Sequence, residues 1–330
     1  MSKIIYNLML LDINLQLFAE ANTQTTGTAS LSPENKTFYD KHLIACAEPY
    51  LVHDQFAQQR DIPKNGGKTI EFRKFSQLPK LLTPLQEGVT PDGQSLEVTY
   101  ITAEVAQYGG YVTLSDMLEL TAIDPMVLET SKLVSSQAGR TLDTVTREVM
   151  NGGTNVVYSG GVVSRNAITD VLCVDDVKRA VRALKKQNAE KINGWFVGII
   201  HPDESYDLTN DPKWEAVKQY DPDDWYRGEI GRIAGVRFVE TTEAKVWEKA
   251  GAENKSVYST LILGANAYGT TKVTGGGLEH IMKQKGSAGT ADPLNQRSTI
   301  GWKAIKTAVR LVEEYMVRIE SVSTFDSEAN

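Results

Sequence analysis

Polar and apolar positions alternate in twos through much of residues 61–115. Ile70 and Phe72 alternate with Glu71 and Arg73, and Leu96, Val98 and Tyr100 with Glu97 and Thr99. A period of two predicts half-buried strands. Between the two runs lies a stretch punctuated by Pro79, Pro84, Gly88 and Pro91-Asp92-Gly93, residue types that set turns. The pattern predicts a long two-stranded arm with an irregular tip. Such an arm is marginally stable alone in water, so it is expected to lie against another surface, that of a second subunit.

The period lengthens after Asp124-Pro125. Val127, Val134, Ala138, Leu142, Val145 and Val149 form a stripe at helical spacing, with Arg140, Asp143, Arg147 and Glu148 assigned to the other faces. Asn151-Gly152-Gly153 supplies the stop. At about 1.5 Å per residue this predicted helix over 124–150 is roughly 40 Å long, the length of a structural spine. Ser32-Pro33-Glu34 opens an earlier helix running to about Ala47, ahead of Glu48-Pro49. Asp175 caps a third, to about Gln187, with Val177, Ala180, Val181 and Leu184 inward. A buried strand is predicted over 195–200, a helix over 202–208, and strands over 236–240, 259–263, 301–312 and 315–322. Helices and strands interleave without strict alternation, which predicts an α+β protein and not a doubly wound sheet.

At the N-terminus Lys3 precedes the apolar residues 4–11, and Ala19-Glu20-Ala21 imitates a signal-peptidase site. Asn7, Asp12, Asn14 and Gln16 break the apolar run. An amphipathic or extended arm is the better reading, with Leu15, Leu17 and Phe18 available to dock. The small polar residues 23–30 follow it as a tether.

The 330 residues are 41% apolar and 23% charged, with a formal charge of −7. That balance is ordinary for a globular chain and argues against a dedicated nucleic-acid binder, which needs a basic excess. No run approaches the roughly 18 apolar residues of a membrane span. Cys46 and Cys173 are too few for a disulfide framework and read as reduced core residues, with a single bridge between them as the alternative.

Chemistry-bearing motifs fail on inspection. Asn65-Gly66-Gly67-Lys68-Thr69 lacks the earlier glycine of a phosphate loop, where Ile62 stands, and is followed by strand pattern. His201-Pro202-Asp203 follows a predicted buried strand and reads as a strand-to-helix turn. Asp221, Asp223 and Asp224 fall short of a calcium loop, with Tyr226 and Arg232 at its sixth and twelfth positions. His42, His53, His201 and His280 are scattered, so no metal and no cofactor is expected. Lys178, Arg179, Arg182, Lys185 and Lys186 form one basic helix stripe, read as a solvated face with an intersubunit or DNA-facing surface as the alternative.

Several segments resemble a known family. Lys36-Thr37-Phe38-Tyr39-Asp40-Lys41, Ile62-Pro63-Lys64-Asn65-Gly66-Gly67-Lys68-Thr69-Ile70-Glu71-Phe72 and Glu87-Gly88-Val89-Thr90-Pro91-Asp92-Gly93 are similar to tailed-phage major capsid proteins of the type named for the coliphage N-four coat protein. So are Leu120-Thr121-Ala122-Ile123-Asp124-Pro125, Gln137-Ala138-Gly139-Arg140-Thr141-Leu142-Asp143 and Val236-Arg237-Phe238-Val239-Glu240 with the four residues after it. Gly286 to Arg297 and Met316-Val317-Arg318-Ile319-Glu320 complete the set, which covers roughly 32–321 in order. Residues 1–31 lie outside it. The stretch Asn14-Leu15-Gln16-Leu17-Phe18-Ala19 is similar to the opening of head proteins from phages of Gram-positive hosts.

The resemblance implies a Hong Kong 97-like fold. Residues 1–57 are then an N-terminal arm and 58–115 an extended loop over a neighbour. Residues 116–160 are a peripheral domain with the spine helix, 161–300 an axial domain, and 301–330 return strands and tail. It implies a major capsid protein and not an enzyme, self-assembling as hexamers and pentamers into an icosahedral head around double-stranded DNA held without sequence specificity. Portal, scaffolding and decoration proteins are the implied partners. Assembly is expected in the bacterial host cytoplasm, with the product in the virion and no membrane association. The N-terminal arm is too short to be a cleaved scaffolding segment and is expected to be retained. Assembly contacts are expected at Leu15, Leu17, Phe18, Phe72, Phe75, Leu82, Pro84, Leu85, Arg140 and Arg147. The rival readings are an encapsulin-type shell holding enzyme cargo and, from another class, a soluble α+β enzyme.

Overall fold

The computed structural model describes Ala47 and residues 51–61, 68–75, 78–82, 84, 87–88, 90, 93–122, 126–214, 232–272, 278–287, 289 and 292–325. Residues 1–46, which hold most of the first predicted helix and of the N-terminal arm, and the Asp221–Asp224 turn lie outside these residues.

Two strands build the arm: β1 is a short strand at Gln58–Arg60, and β2 (Thr69–Phe75) then pairs antiparallel with β3 (Val98–Glu104) over its whole length. β4 (Ala106–Ser115) follows at once but leaves the arm. A short helix α1 (Asp116–Thr121) leads to the spine helix α2 (Met126–Asn151).

Past the spine come β5 (Val156–Tyr158), helix α3 (Val174–Lys186), β6 (Phe196–Ile200) and helix α4 (Pro202–Thr209). Then follow β7 (Arg232–Ile233), β8 (Val236–Glu240), β9 (Val246–Trp247), β10 (Val257–Leu263) and β11 (Tyr268–Thr271). β12 (Leu278–Lys283), β13 (Arg297–Lys306), β14 (Ala308–Arg310) and β15 (Met316–Val322) close the chain.

Two packed units result. In the larger, a seven-stranded sheet runs β5-β15-β10-β6-β8-β7, with β9 on β10. β10 and β15 are antiparallel and β6 and β8 parallel. α3 buries Val177, Ala180, Val181 and Leu184 on one face of this sheet, against Phe196, Val236, Ile262 and Ile319. The opposite face, through Ile199, Leu261 and Met316, meets Met150 at the C-terminal end of the spine.

In the smaller unit β4, β13 and β12 form an antiparallel sheet, β4 and β13 pairing along ten residues. The spine lies across it. Val134, Ala138 and Leu142 pack with Trp302, Ala304 and Leu278, and Trp302 Nε1 donates to Gln137 at 3.2 Å. Two strands thus sit elsewhere than the sequence division put them. β4 was grouped with the arm, and β12 with residues 161–300. Their partner β13 is far off in sequence, and no local pattern reports such a pairing.

The spine's buried face differs from the expected stripe. Val127, Val145 and Val149 are only half-buried, while Thr130, Ser131, Ser135, Gly139, Asp143 and Thr146 are buried. Small side chains let the helix lie close on the sheet, and they do not register as an apolar stripe. Asp143, assigned to an outer face, is fully buried. Its Oδ1 accepts the His53 backbone N–H at 2.8 Å, and Oδ2 meets His53 Nδ1 at 2.6 Å. A polar partner from the chain's own N-terminal segment turns it inward.

Candidate functional site

The arm is rooted firmly and ends openly. Ile70, Phe72 and Ala103 are buried at its base among Ile101, Val105, Val309 and Leu311. The Phe72 ring occupies the space where a side chain on Gly269 would project, so β11 presents a bare backbone to it. Outward the burial stops: Leu78, Leu81, Leu82 and Leu96 are exposed, Leu82 by 84%. Pro84 is exposed as well.

The expected contact residues therefore part company. Leu82 and Pro84 present themselves outward. Phe72 does not, because its ring is spent inside its own chain; alternation marks an apolar face without telling what covers it. Phe75 closes β2, its side chain outside the described residues, as are Leu15, Leu17, Phe18 and Leu85. Arg140 is 59% exposed but binds Glu243 through Nε at 2.7 Å. Arg147 donates to the Glu243 carbonyl at 2.7 Å and to Glu148 at 2.8 Å. Both arginines tie the spine to the Thr241–Lys245 turn of the same chain, where Lys245 also holds Glu148 at 2.8 Å.

Two buried polar groups escaped sequence reasoning. In the first, His53 and Asp54 enter between the spine and the sheets. Asp54 pairs with Lys306, accepts the Thr146 hydroxyl at 2.6 Å, and Tyr268 donates its hydroxyl to the His53 carbonyl. Burial, with Asp54 and Asp143 nearby, raises the Tyr268 pKa well above its ordinary value. The group bolts the arm's approach segment to the spine helix, β11 and β13.

The second centres on Glu204 in α4, wholly buried, with the Thr260 and Ser321 hydroxyls donating to it. Burial raises its pKa to about 8, against the lowering effect of those two hydroxyls. A carboxylate in an apolar interior favours its proton.

The scanned motifs resolve structurally. His201 Nδ1 accepts the Asp203 N–H at 3.2 Å, making the strand-to-helix turn that was expected. Thr69 opens β2 directly after Lys68, while Asn65, Gly66 and Gly67 lie outside the described residues. Cys173 is a free, half-buried thiol whose pKa burial pushes up, and it donates to Asp176 at 3.1 Å. Cys46 lies outside the described residues. Among the described residues no cluster of His, Cys, Asp or Glu could hold a metal, and no helix is long and apolar enough to cross a membrane.

An apolar arm held at its base, whose far end is left exposed among the described residues, suits a protein that meets copies of itself. Residues 129–286 match the model of a family described as phage capsid protein. Over that stretch, just under half of the chain, it is similar to phage capsid proteins. Its architecture is similar to solved capsids. The capsid of Ralstonia phage GP4 is 13% identical with a TM-score of 0.65, over 82% of this chain and 86% of that one. The cyanophage Pam1 capsid is 15% identical with a TM-score of 0.65, over 85% and 93%. The capsid of Helicobacter pylori bacteriophage KHP30 is 12% identical with a TM-score of 0.56, over 77% and 85%. At such identities the likeness is one of fold, and the chain has the Hong Kong 97-like fold. No curated protein matches the chain in sequence.

Proposed function

We propose that this chain is a phage major capsid protein, copies of which assemble as hexamers and pentamers and close into the icosahedral head that encloses the double-stranded DNA of a tailed phage. The observation that carries this reading is the exposed apolar outer part of the arm, with Leu81 and Leu82 76% and 84% exposed. Surface of that kind on an isolated chain marks an interaction site. The neighbouring copy is its natural cover. The narrower kinship with the coliphage N-four type rests on the sequence motifs.

The division we propose follows the packing. Residues 68–104 form the intersubunit arm, the spine helix with its three-stranded sheet the peripheral unit, and the seven-stranded sheet with α3 and α4 the axial unit. The role is structural, without catalytic chemistry. DNA is held without sequence specificity, and portal, scaffolding and decoration proteins are the expected partners. Shells form in the host cytoplasm and end in the virion.

The chain expressed alone and viewed by negative-stain electron microscopy should give rings or closed shells, with light scattering reporting the same sizes. Deleting residues 82–91 should leave a folded chain, by circular dichroism, that closes no shells. Normal shells from that deletion would refute the arm's role. Particles filled with protein cargo and no DNA in infected cells would instead favour the encapsulin-type reading.

A further inference from the structure

We propose that the cationic face of α3 is the surface on which the phosphodiester backbone of the packaged DNA rests; this builds on the capsid reading above. Lys178, Arg182, Lys185 and Lys186 stand at helical spacings of four, three and one. With Val181 and Ala234 they line a shallow concavity of about 490 Å³. All four are exposed. Two charges of the wider stripe are partly spent: Arg179 Nη1 meets Asp176 at 3.2 Å, and Lys178 itself shares Asp175 with Lys213, at 3.6 Å from its own Nζ. Among the described residues no carboxylate pairs with Arg182, Lys185 or Lys186. Lys186 also borders a second concavity with Glu313 and Glu314, and Arg310 holds Glu313 at 3.1 Å. A cationic row on a chain of net charge −7 concentrates positive potential where the average is negative.

The geometry decides between two anionic partners. Lys178 to Lys185 spans about 10 Å along the helix at 1.5 Å per residue. Duplex DNA carries one charge per roughly 1.7 Å of its axis, about six over that length, so each cation finds a phosphate without a fixed register. The acidic surface of another copy would need carboxylates placed one by one. The concavity's floor is Val181 and Ala234, which offer no hydrogen bond to a base edge, so contacts here position and do not read. Three or four phosphate contacts hold DNA weakly, which lets a packaged polymer slide.

The test uses the full-length unassembled chain and a labelled duplex of arbitrary sequence, followed by fluorescence anisotropy between about 50 and 200 mM salt. Binding should fall with salt at a log–log slope of about −3, from roughly three neutralised phosphates. R182Q/K185Q/K186Q should bind at least about tenfold more weakly, with a slope near zero and an unchanged melting curve. K255Q/K272Q, which removes two half-exposed charges elsewhere, should bind like the parent chain. An unchanged slope in the triple variant overturns the proposal. So does a triple variant that binds DNA normally but closes no shells, since the face is then a contact between copies. A reconstruction of filled particles with α3 turned outward also overturns it. Because the anisotropy is read on unassembled chains, it stands apart from whether shells form.

Discussion

Glu204 sits where an acid costs most to ionise. It is fully buried, its two oxygens take the Thr260 and Ser321 hydroxyls, and Asp203 and Asp207 add unfavourable negative charge. Its folded pKa of about 8 lies above its ordinary value of 4.5. The folded chain therefore holds a proton that the unfolded chain has already released, so stability contributed below pH 4.5 is lost as pH rises through 8. Urea midpoints of the unassembled chain should accordingly fall between about pH 5 and 8. Glu204→Gln keeps the volume, retains both hydrogen bonds once one hydroxyl turns to accept from the amide nitrogen, and should flatten that decline. An equally steep fall in the variant would place the titrating group elsewhere. Neither Glu204 nor Asp143 was legible in the sequence. A periodicity reading counts apolar positions, and an inward carboxylate registers as a solvent-facing one. What turns each inward is a partner far away in the chain: Ser321 for Glu204, His53 for Asp143.

At the level of elements, the arm's strands, the spine and the core of α3 were legible because each obeys a local period. The sheets were not. β4 continues the arm's pattern but pairs with β13, and β12 joins the same sheet. The setting of the arm was hidden too, since it depends on one close approach. Phe72 fills the space above Gly269, so a β-branched residue at 269 forces the ring out. Such overpacking costs about 1–3 kcal/mol. Gly269→Val should lower the melting temperature of the unassembled chain modestly and loosen the arm at its base. Proteolytic cleavage within residues 76–97 should speed up, while cleavage in the seven-stranded sheet stays slow. Cleavage at an unaltered rate in the arm would mean that its root is fixed by the flanking contacts of Ile70 and Ala103 alone.

For the whole molecule, the fold was legible through ordered motifs spread over most of the chain, more than through any composition or period. Those motifs do not say how strongly one copy holds another, and under the proposed assembly the exposed leucines of the arm bear on that strength. Leu81 and Leu82 touch little of their own chain, so changing them leaves the subunit core intact. Burying a leucine is worth roughly 1.5–3 kcal/mol, so two covered by a neighbour contribute about 3–6 per arm, and each 1.4 is about a factor of ten. Even if a neighbour covers only half of each side chain, Leu81→Ser with Leu82→Ser should raise the concentration at which shells first form by at least about tenfold. Light scattering across a dilution series measures that threshold, and calorimetry of the dilute chain checks that its melting is unmoved. A raised threshold with unmoved melting puts these leucines in the contact between copies. Shells appearing at the parent concentration would mean that the arm's tip stays in solvent within the particle, and that the spine and sheet edges alone hold the copies together.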